Sequence, residues 1–206
     1  GCKVEYFDRD EIKISSTEIR SDVFKYWDYI PNIARPYFTK RVLLIGGEST
    51  GKSTLTQNLA LHYNTNFLEE VGRNVCDYAG GNEDLMIEED FHEILIQHKA
   101  KEMEIIKQSN KLLFIDTDAL ITKFFSRFLL EGDKQKRNDA LADAITAINK
   151  FDMVIFLEPT VAFVQDGTRN EKLLEDRKGY SEQIKSLFDE QGISYHVVDG
   201  DYLERY

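Results

Sequence analysis

The sequence is poor in the residues that mark several classes of protein. Two cysteines, Cys2 and Cys76, among 206 residues are too few for a disulfide framework, and a reduced, cytoplasmic setting is expected. Three prolines, Pro31, Pro36 and Pro159, and no Gly/Ser-rich tract leave no flexible linker. Strongly apolar stretches are short, such as Val42–Ile45 and Leu112–Ile115, far below the roughly 20 residues of a membrane span. The opening GCKVEYFDRD lacks the apolar segment of a secretory signal. Positive charge is also in deficit: 26 Lys and Arg stand against 37 Asp and Glu, a net charge of −11. A duplex nucleic-acid binder needs a clustered basic face, so none is expected here, and no stretch reads as a helix-turn-helix. The first residue is Gly rather than Met, and the chain reads as a piece of something longer. The sequence does not fix its oligomeric state.

What is present is a regular alternation. Residues 1–40 are set apart by an aromatic stretch from Phe24 to Phe38 containing the single tryptophan, Trp27, with Pro31 and Pro36 discouraging a helix through it. Beyond Lys40, buried strands are expected at Val42–Ile45, Phe67–Glu69, Leu112–Asp116, Met153–Leu157 and Tyr195–Val198. Helices are expected at Lys52–Tyr63, Glu88–Gln108, Ala119–Leu130, Ala140–Asn149 and Glu171–Gln191. Strands alternating with long helices predict an α/β fold, a mostly parallel five-stranded sheet with helices on both faces. In such sheets the chemistry gathers at the carboxyl ends of the strands.

The strongest motif lies at one such end. Gly46-Gly47-Glu48-Ser49-Thr50-Gly51-Lys52-Ser53 fits G-x-x-x-x-G-K-[ST] at every fixed position, between a strand and a helix as a P-loop NTPase or kinase requires. Backbone N–H groups from Gly47 through Thr54 would cradle phosphates at a helix N-terminus. Lys52 would bridge the β- and γ-phosphates of ATP, and the Ser53 hydroxyl would ligate Mg²⁺. Asp116 closes an apolar strand, and an acid there can hold the metal's shell or take a proton from an acceptor hydroxyl. Asp118 fits a substrate role or an N-cap for the next helix equally well. Glu69 and Glu70, then Arg73, end the second strand beside the loop. Gln165-Asp166-Gly167-Thr168-Arg169, with Arg177 beyond, reads as a short Arg-bearing lid over the triphosphate. His62, His92, His98 and His196 show no metal-ligand spacing. Asn149-Lys150-Phe151-Asp152 matches the guanine-reading N-K-x-D string, and Asp77-Tyr78-Ala79-Gly80 is a formal D-x-x-G, but neither stands where a GTPase needs it. An acceptor pocket rich in acids (Glu69, Glu70, Asp116, Asp118) and poor in arginines suits a neutral or cationic alcohol.

These motifs, GGESTGKSTL (Gly46–Leu55), EEVGR (Glu69–Arg73), FIDTD with Thr122, and DGTR (Asp166–Arg169), resemble the ribosylnicotinamide kinase domain of the bacterial NadR family, in that family's order from about residue 35 to 206. The resemblance implies transfer of the ATP γ-phosphoryl to the 5′-hydroxyl of nicotinamide riboside, giving nicotinamide mononucleotide for NAD biosynthesis. It implies Lys52, Asp116, Asp118, Arg169 and Arg177 as catalytic residues. Glu69, Glu70, Arg73, Phe91, Asp116, Asp118 and Thr122 would meet the riboside, and Ser53 with Asp116 the Mg²⁺. Relatives sandwich the pyridine ring between aromatics, one of them just before Glu70, where this chain has Glu69; Phe67, Tyr78 and Phe91 are the candidate replacements. Residues 1–34 resemble the tail of an upstream nicotinamide-mononucleotide adenylyltransferase domain and its joint, with Ile14–Arg20 (ISSTEIR) as that domain's closing motif. Its H-x-G-H motif is absent, so that activity is not expected of this chain. The alternatives are a non-catalytic sensor of ATP and riboside, regulating NAD genes or a PnuC-type riboside transporter, and a kinase for another nucleoside.

Overall fold

The central strand, β1 (Lys40–Gly46), is buried from Val42 to its end. Successive side chains alternate between the sheet's faces. Leu43 and Ile45 therefore enter one core with Leu113, Ile115, Val154 and Phe156, and Val42 and Leu44 enter the other with Phe114 and Leu157. A strand apolar on both faces belongs in the middle of a parallel sheet. The computed structural model, which describes residues 2–5, 13–78, 85–164 and 176–205, places it there. Strands β2 (Asn66–Leu68), β3 (Leu112–Asp116), β4 (Met153–Leu157) and β5 (His196–Val198) complete an all-parallel sheet in the order β2-β3-β1-β4-β5.

The helices are α1 (Ser16–Ser21), α2 (Lys52–His62), α3 (Val71–Tyr78), α4 (Glu88–Ile105), α5 (Ala119–Ser126), α6 (Gly132–Ile148) and α7 (Arg177–Glu190). Helix α2 closes one face through Leu55 and Ala60. Helices α5 and α7 close the other through Leu120, Ile121, Phe124, Ile184, Leu187 and Phe188. The expected strands and helices are present with shifts at their ends, among them α6, which begins at Gly132 rather than Ala140; β5, expected to be buried, is an edge strand with His196 and Val197 exposed. Helix α3 is not among the expected helices, because Gly72 in its first turn hides the apolar stripe of Val71, Val75 and Cys76. Residues 171–175 of the expected last helix lie outside the described residues. Helix α1 opens on a reciprocal cap between Ser15 and Glu18. The aromatic stretch from Phe24 to Phe38 folds around buried Trp27, whose ring lies 5.5 Å from the Arg35 guanidinium.

Sheet register brings the chemistry together. Leu44 pairs with Asp116 and Gly46 with Leu157, so Asp116 ends β3 beside the loop that leaves β1. Order reverses at β1, with β3 on one side and β4 on the other, which opens a crevice at the strands' carboxyl ends. Gly46 makes the turn out of the sheet with φ +145°, and a Cβ there would stand 2.5 Å from the Leu157 carbonyl oxygen. Gly46→Ala should cost about 2–4 kcal/mol, from backbone strain and overpacking together. A Cβ on Gly47 meets only the Ser181 Oγ, at 3.7 Å, so Gly47→Ala should change stability by less than about 1 kcal/mol. Urea denaturation of the two variants checks the contrast, and equal costs would contradict it.

Candidate active site

The phosphate loop is held from inside and outside. Inside, the Lys52 ammonium donates to the Gly47 carbonyl at 2.9 Å, and the Thr50 hydroxyl donates to the same oxygen at 2.9 Å. Outside, Arg177 at the start of α7 donates to the carbonyls of Ser49 (3.1 Å), Glu48 (3.4 Å) and Val161 (2.8 Å). Its guanidinium also lies 5.7 Å from the Phe163 ring. The Val164 N–H donates to the Ser49 hydroxyl at 2.8 Å. Arg177, expected to reach the triphosphate from a lid, therefore sits against the loop's backbone. Arg169 lies outside the described residues.

A cavity of about 440 Å³ opens beside the loop, lined by residues 48–54, by Glu70 and Arg73, and by Thr117 and Thr122. Its far wall is apolar and aromatic: Met86, Phe91, Ile94, Phe125, Phe128 and Tyr180. Phe128 and Tyr180 meet edge to face, with centroids 5.6 Å apart. Of the expected ring partners only Phe91 lines this space. Phe67 packs into the sheet core, and Tyr78 is 93% exposed. Phe125, Phe128 and Tyr180 are the residues that sequence reasoning missed. They sit at helical spacing that reads equally well as core, so no local signal singles them out. Glu69 is exposed and outside the cavity, so the acid-rich pocket contracts to Glu70, with Asp116 and Asp118 buried behind it.

Asp116 is 1% exposed, and neither of its carboxylate oxygens has a hydrogen-bond partner among the described residues. Burial, and then the nearby Glu70 charge, push its pKa up to about 6, while Lys52, the Ser53 hydroxyl and Arg73 pull the other way. Asp118 caps α5: its Oδ1 accepts from the N–H groups of Leu120 (3.2 Å) and Ile121 (3.4 Å). Its other oxygen is buried without a partner, and burial pushes its pKa up to about 7 against those two bonds. Both readings of Asp118 thus describe parts of one carboxyl group. Between the two acids, Thr117 holds φ +66°, a strained value for a β-branched residue. The His98 Nε2–H donates to the Asp116 carbonyl oxygen at 3.3 Å, and burial lowers the ring's pKa, which favours its neutral form.

The residues present fit Mg²⁺. Two orphaned carboxylate oxygens beside Lys52 and Ser53 are costly unless something cationic faces them. An ion there would be held by one or two protein oxygens plus phosphates and water. The guanine reader is spoken for: Asp152 accepts from Lys40 at 2.6 Å and from the Arg41 N–H at 2.9 Å, at the opposite end of the sheet. Asp118→Asn preserves the α5 cap and Asp118→Ala removes it. The asparagine variant should therefore be more stable by about 1 kcal/mol; equal urea midpoints would show that the cap contributes nothing.

The model of the AAA domain family matches residues 41–205. The trifunctional NAD biosynthesis/regulator protein NadR of Salmonella typhimurium is 36% identical over 97% of this chain, which spans 48% of that relative. A crystal structure of NadR protein in complex with NR superposes with a TM-score of 0.83 at 26% identity, covering 97% of this chain and 57% of that one. Another, in complex with NAD and AMP-PNP, gives 0.79 at 25% identity, covering 97% and 55%. Among the described residues no helix is long and apolar enough to cross a membrane. A phosphate loop at the end of the central strand, the acid beside it and these matches together make the chain a member of the AAA domain family with a P-loop kinase fold, spanning about half the length of the NadR relatives it matches.

Proposed function

We propose that this chain is a ribosylnicotinamide kinase, moving the γ-phosphoryl of ATP to the 5′-hydroxyl of nicotinamide riboside. The observation that carries the reading is a cavity lined by a phosphate loop and an aromatic wall, with the buried, unpartnered Asp116 carboxylate ending the strand beside that loop. A permanently cationic pyridine ring is attracted by aromatic faces, by up to about 2 kcal/mol when desolvated, and Glu70 adds a negative charge to the cavity lining. The NadR structures with NR and with AMP-PNP support both ligands.

In this mechanism the backbone from Gly47 to Thr54 and Lys52 bind the triphosphate. Ser53 and Asp116 would hold Mg²⁺, which when bound neutralises charge on the phosphates. Asp118 Oδ2 or Asp116 orients the acceptor hydroxyl and takes its proton, with Glu70 the third choice. Thr122 and Arg73 line the acceptor side, and Arg169 is proposed as the lid cation. Residues 35–206 would form the kinase unit and residues 1–34 the joint to an upstream adenylyltransferase. A cytoplasmic setting and a link to a riboside transporter belong to the same proposal.

Phosphorus NMR of the product from nicotinamide riboside and Mg-ATP tests it. A new 5′-phosphomonoester resonance is expected. ADP accompanied only by inorganic phosphate would mean hydrolysis, and would contradict the assignment.

A further inference from the structure

The loop's outer surface carries a second guanidinium that no sequence motif announces. Arg205 reaches back from the end of the described chain: it donates to the carbonyl of Thr50, to the Glu158 carbonyl at 2.7 Å and the Thr160 hydroxyl at 2.6 Å after β4, and to its own turn's Gly200 carbonyl at 3.1 Å. Four of its five N–H donors thereby tie three separate stretches together. The turn that presents it is internally fixed, since Asp201 Oδ1 accepts from the N–H groups of Leu203 (2.8 Å) and Glu204 (3.0 Å). Tyr202 of the same turn covers Gly51, where an added Cβ would come within 2.9 Å of its ring.

A peptide group is planar and trans, so its C=O and the following N–H point in opposite directions. Holding the Thr50 oxygen on the outside therefore aims the Gly51 N–H the other way, and Gly51 lines the cavity. Arg177 does the same for the two preceding peptides, through the oxygens of Glu48 and Ser49. The loop is thus preorganised from behind, with each guanidinium also lending positive potential to the nest. We propose that Arg205 is a positioning residue for nucleotide binding, acting through the Thr50–Gly51 peptide without touching the nucleotide. The inference deepens the reading of the phosphate loop as an ATP site and rests on it.

Isothermal titration of the full chain with Mg-AMP-PNP, and separately with nicotinamide riboside, tests it. Arg205→Ala should weaken Mg-AMP-PNP by about tenfold or more, the scale of one lost charge-assisted contact, and leave riboside affinity within about twofold. Arg205→Lys, a point charge able to hold the Thr50 oxygen but not all four acceptors, should recover part of the loss. Asp201→Ala, which loosens the turn away from the loop, should show a smaller loss of the same kind. In turnover the KM for ATP should rise more than kcat falls. Nucleotide affinity unchanged in Arg205→Ala would overturn the proposal. So would parallel loss of both ligands with a lowered melting temperature, since that describes a merely structural residue; if the alanine variant does not fold, Arg205→Lys decides by the same two affinities. Failure of the wild-type chain to bind Mg-AMP-PNP would instead remove the ATP reading, and the proposal with it.

Discussion

Lys52→Ala is expected to lower phosphoryl transfer by roughly 10²–10³-fold or more, the loss seen when one preorganised donor to developing charge is deleted. The ammonium is buried in the loop and bonded to the Gly47 carbonyl, leaving two of its three N–H donors for phosphate oxygens. Among the described residues no other lysine lines the cavity. The same substitution should leave folding intact, because it removes a buried charge and one contact that Thr50 also makes to Gly47. A melting curve near wild type with collapsed turnover is the expected pair of results. Near-normal turnover would remove the phosphate-loop assignment.

Asp116→Asn should abolish turnover and raise stability at alkaline pH, two effects of opposite sign from one carboxyl group. Its pKa near 6, above the ordinary 3.8, means the folded chain holds this proton more tightly than the unfolded chain. Its contribution to stability is present below about pH 4 and declines as pH rises to about 6, beyond which the ionised form carries the full burial penalty. Asn carries no such penalty, so at pH 8 the variant should gain about 1–3 kcal/mol over wild type, and near pH 4 almost nothing. Turnover of the wild type should rise through pH 6 as the carboxylate ionises to meet a cation or a hydroxyl proton. Urea midpoints at the two pH values and a pH–rate profile check both halves. A variant no more stable at pH 8 than at pH 4 would show that Asp116 carries no such penalty.

What the sequence discloses here depends on how local the determining physics is. The phosphate loop is legible because positive-φ glycines and an ammonium at fixed spacing are demands of a single turn. Asp116 is legible because an acid closing an apolar strand has few structural reasons to be there, and the register with Leu44 fixes where it stands. Asp118 is legible only as an alternative, since the same carboxyl group caps α5 and presents a second oxygen. The aromatic wall is a different matter. Phe125 and Phe128 come from α5 and the turn after it, and Tyr180 from α7; each alone reads as core, and only the packing of α5 against α7 assembles them. Glu69 shows the converse, a residue adjacent in sequence to Glu70 that is exposed and outside the cavity. Arg205 is the least legible of all, its contact with Thr50 spanning 155 positions.

The proposed function requires that the cavity accept a pyridine riboside and that the loop support phosphoryl transfer to it. ADP release by the purified chain with Mg-ATP, measured against nicotinamide riboside, nicotinic acid riboside, adenosine, uridine and no acceptor, addresses both at once. Turnover confined to the pyridine ribosides is the predicted result. Riboside binding without ADP release would make the chain a sensor, and preferred turnover of adenosine or uridine would assign the aromatic wall to another base.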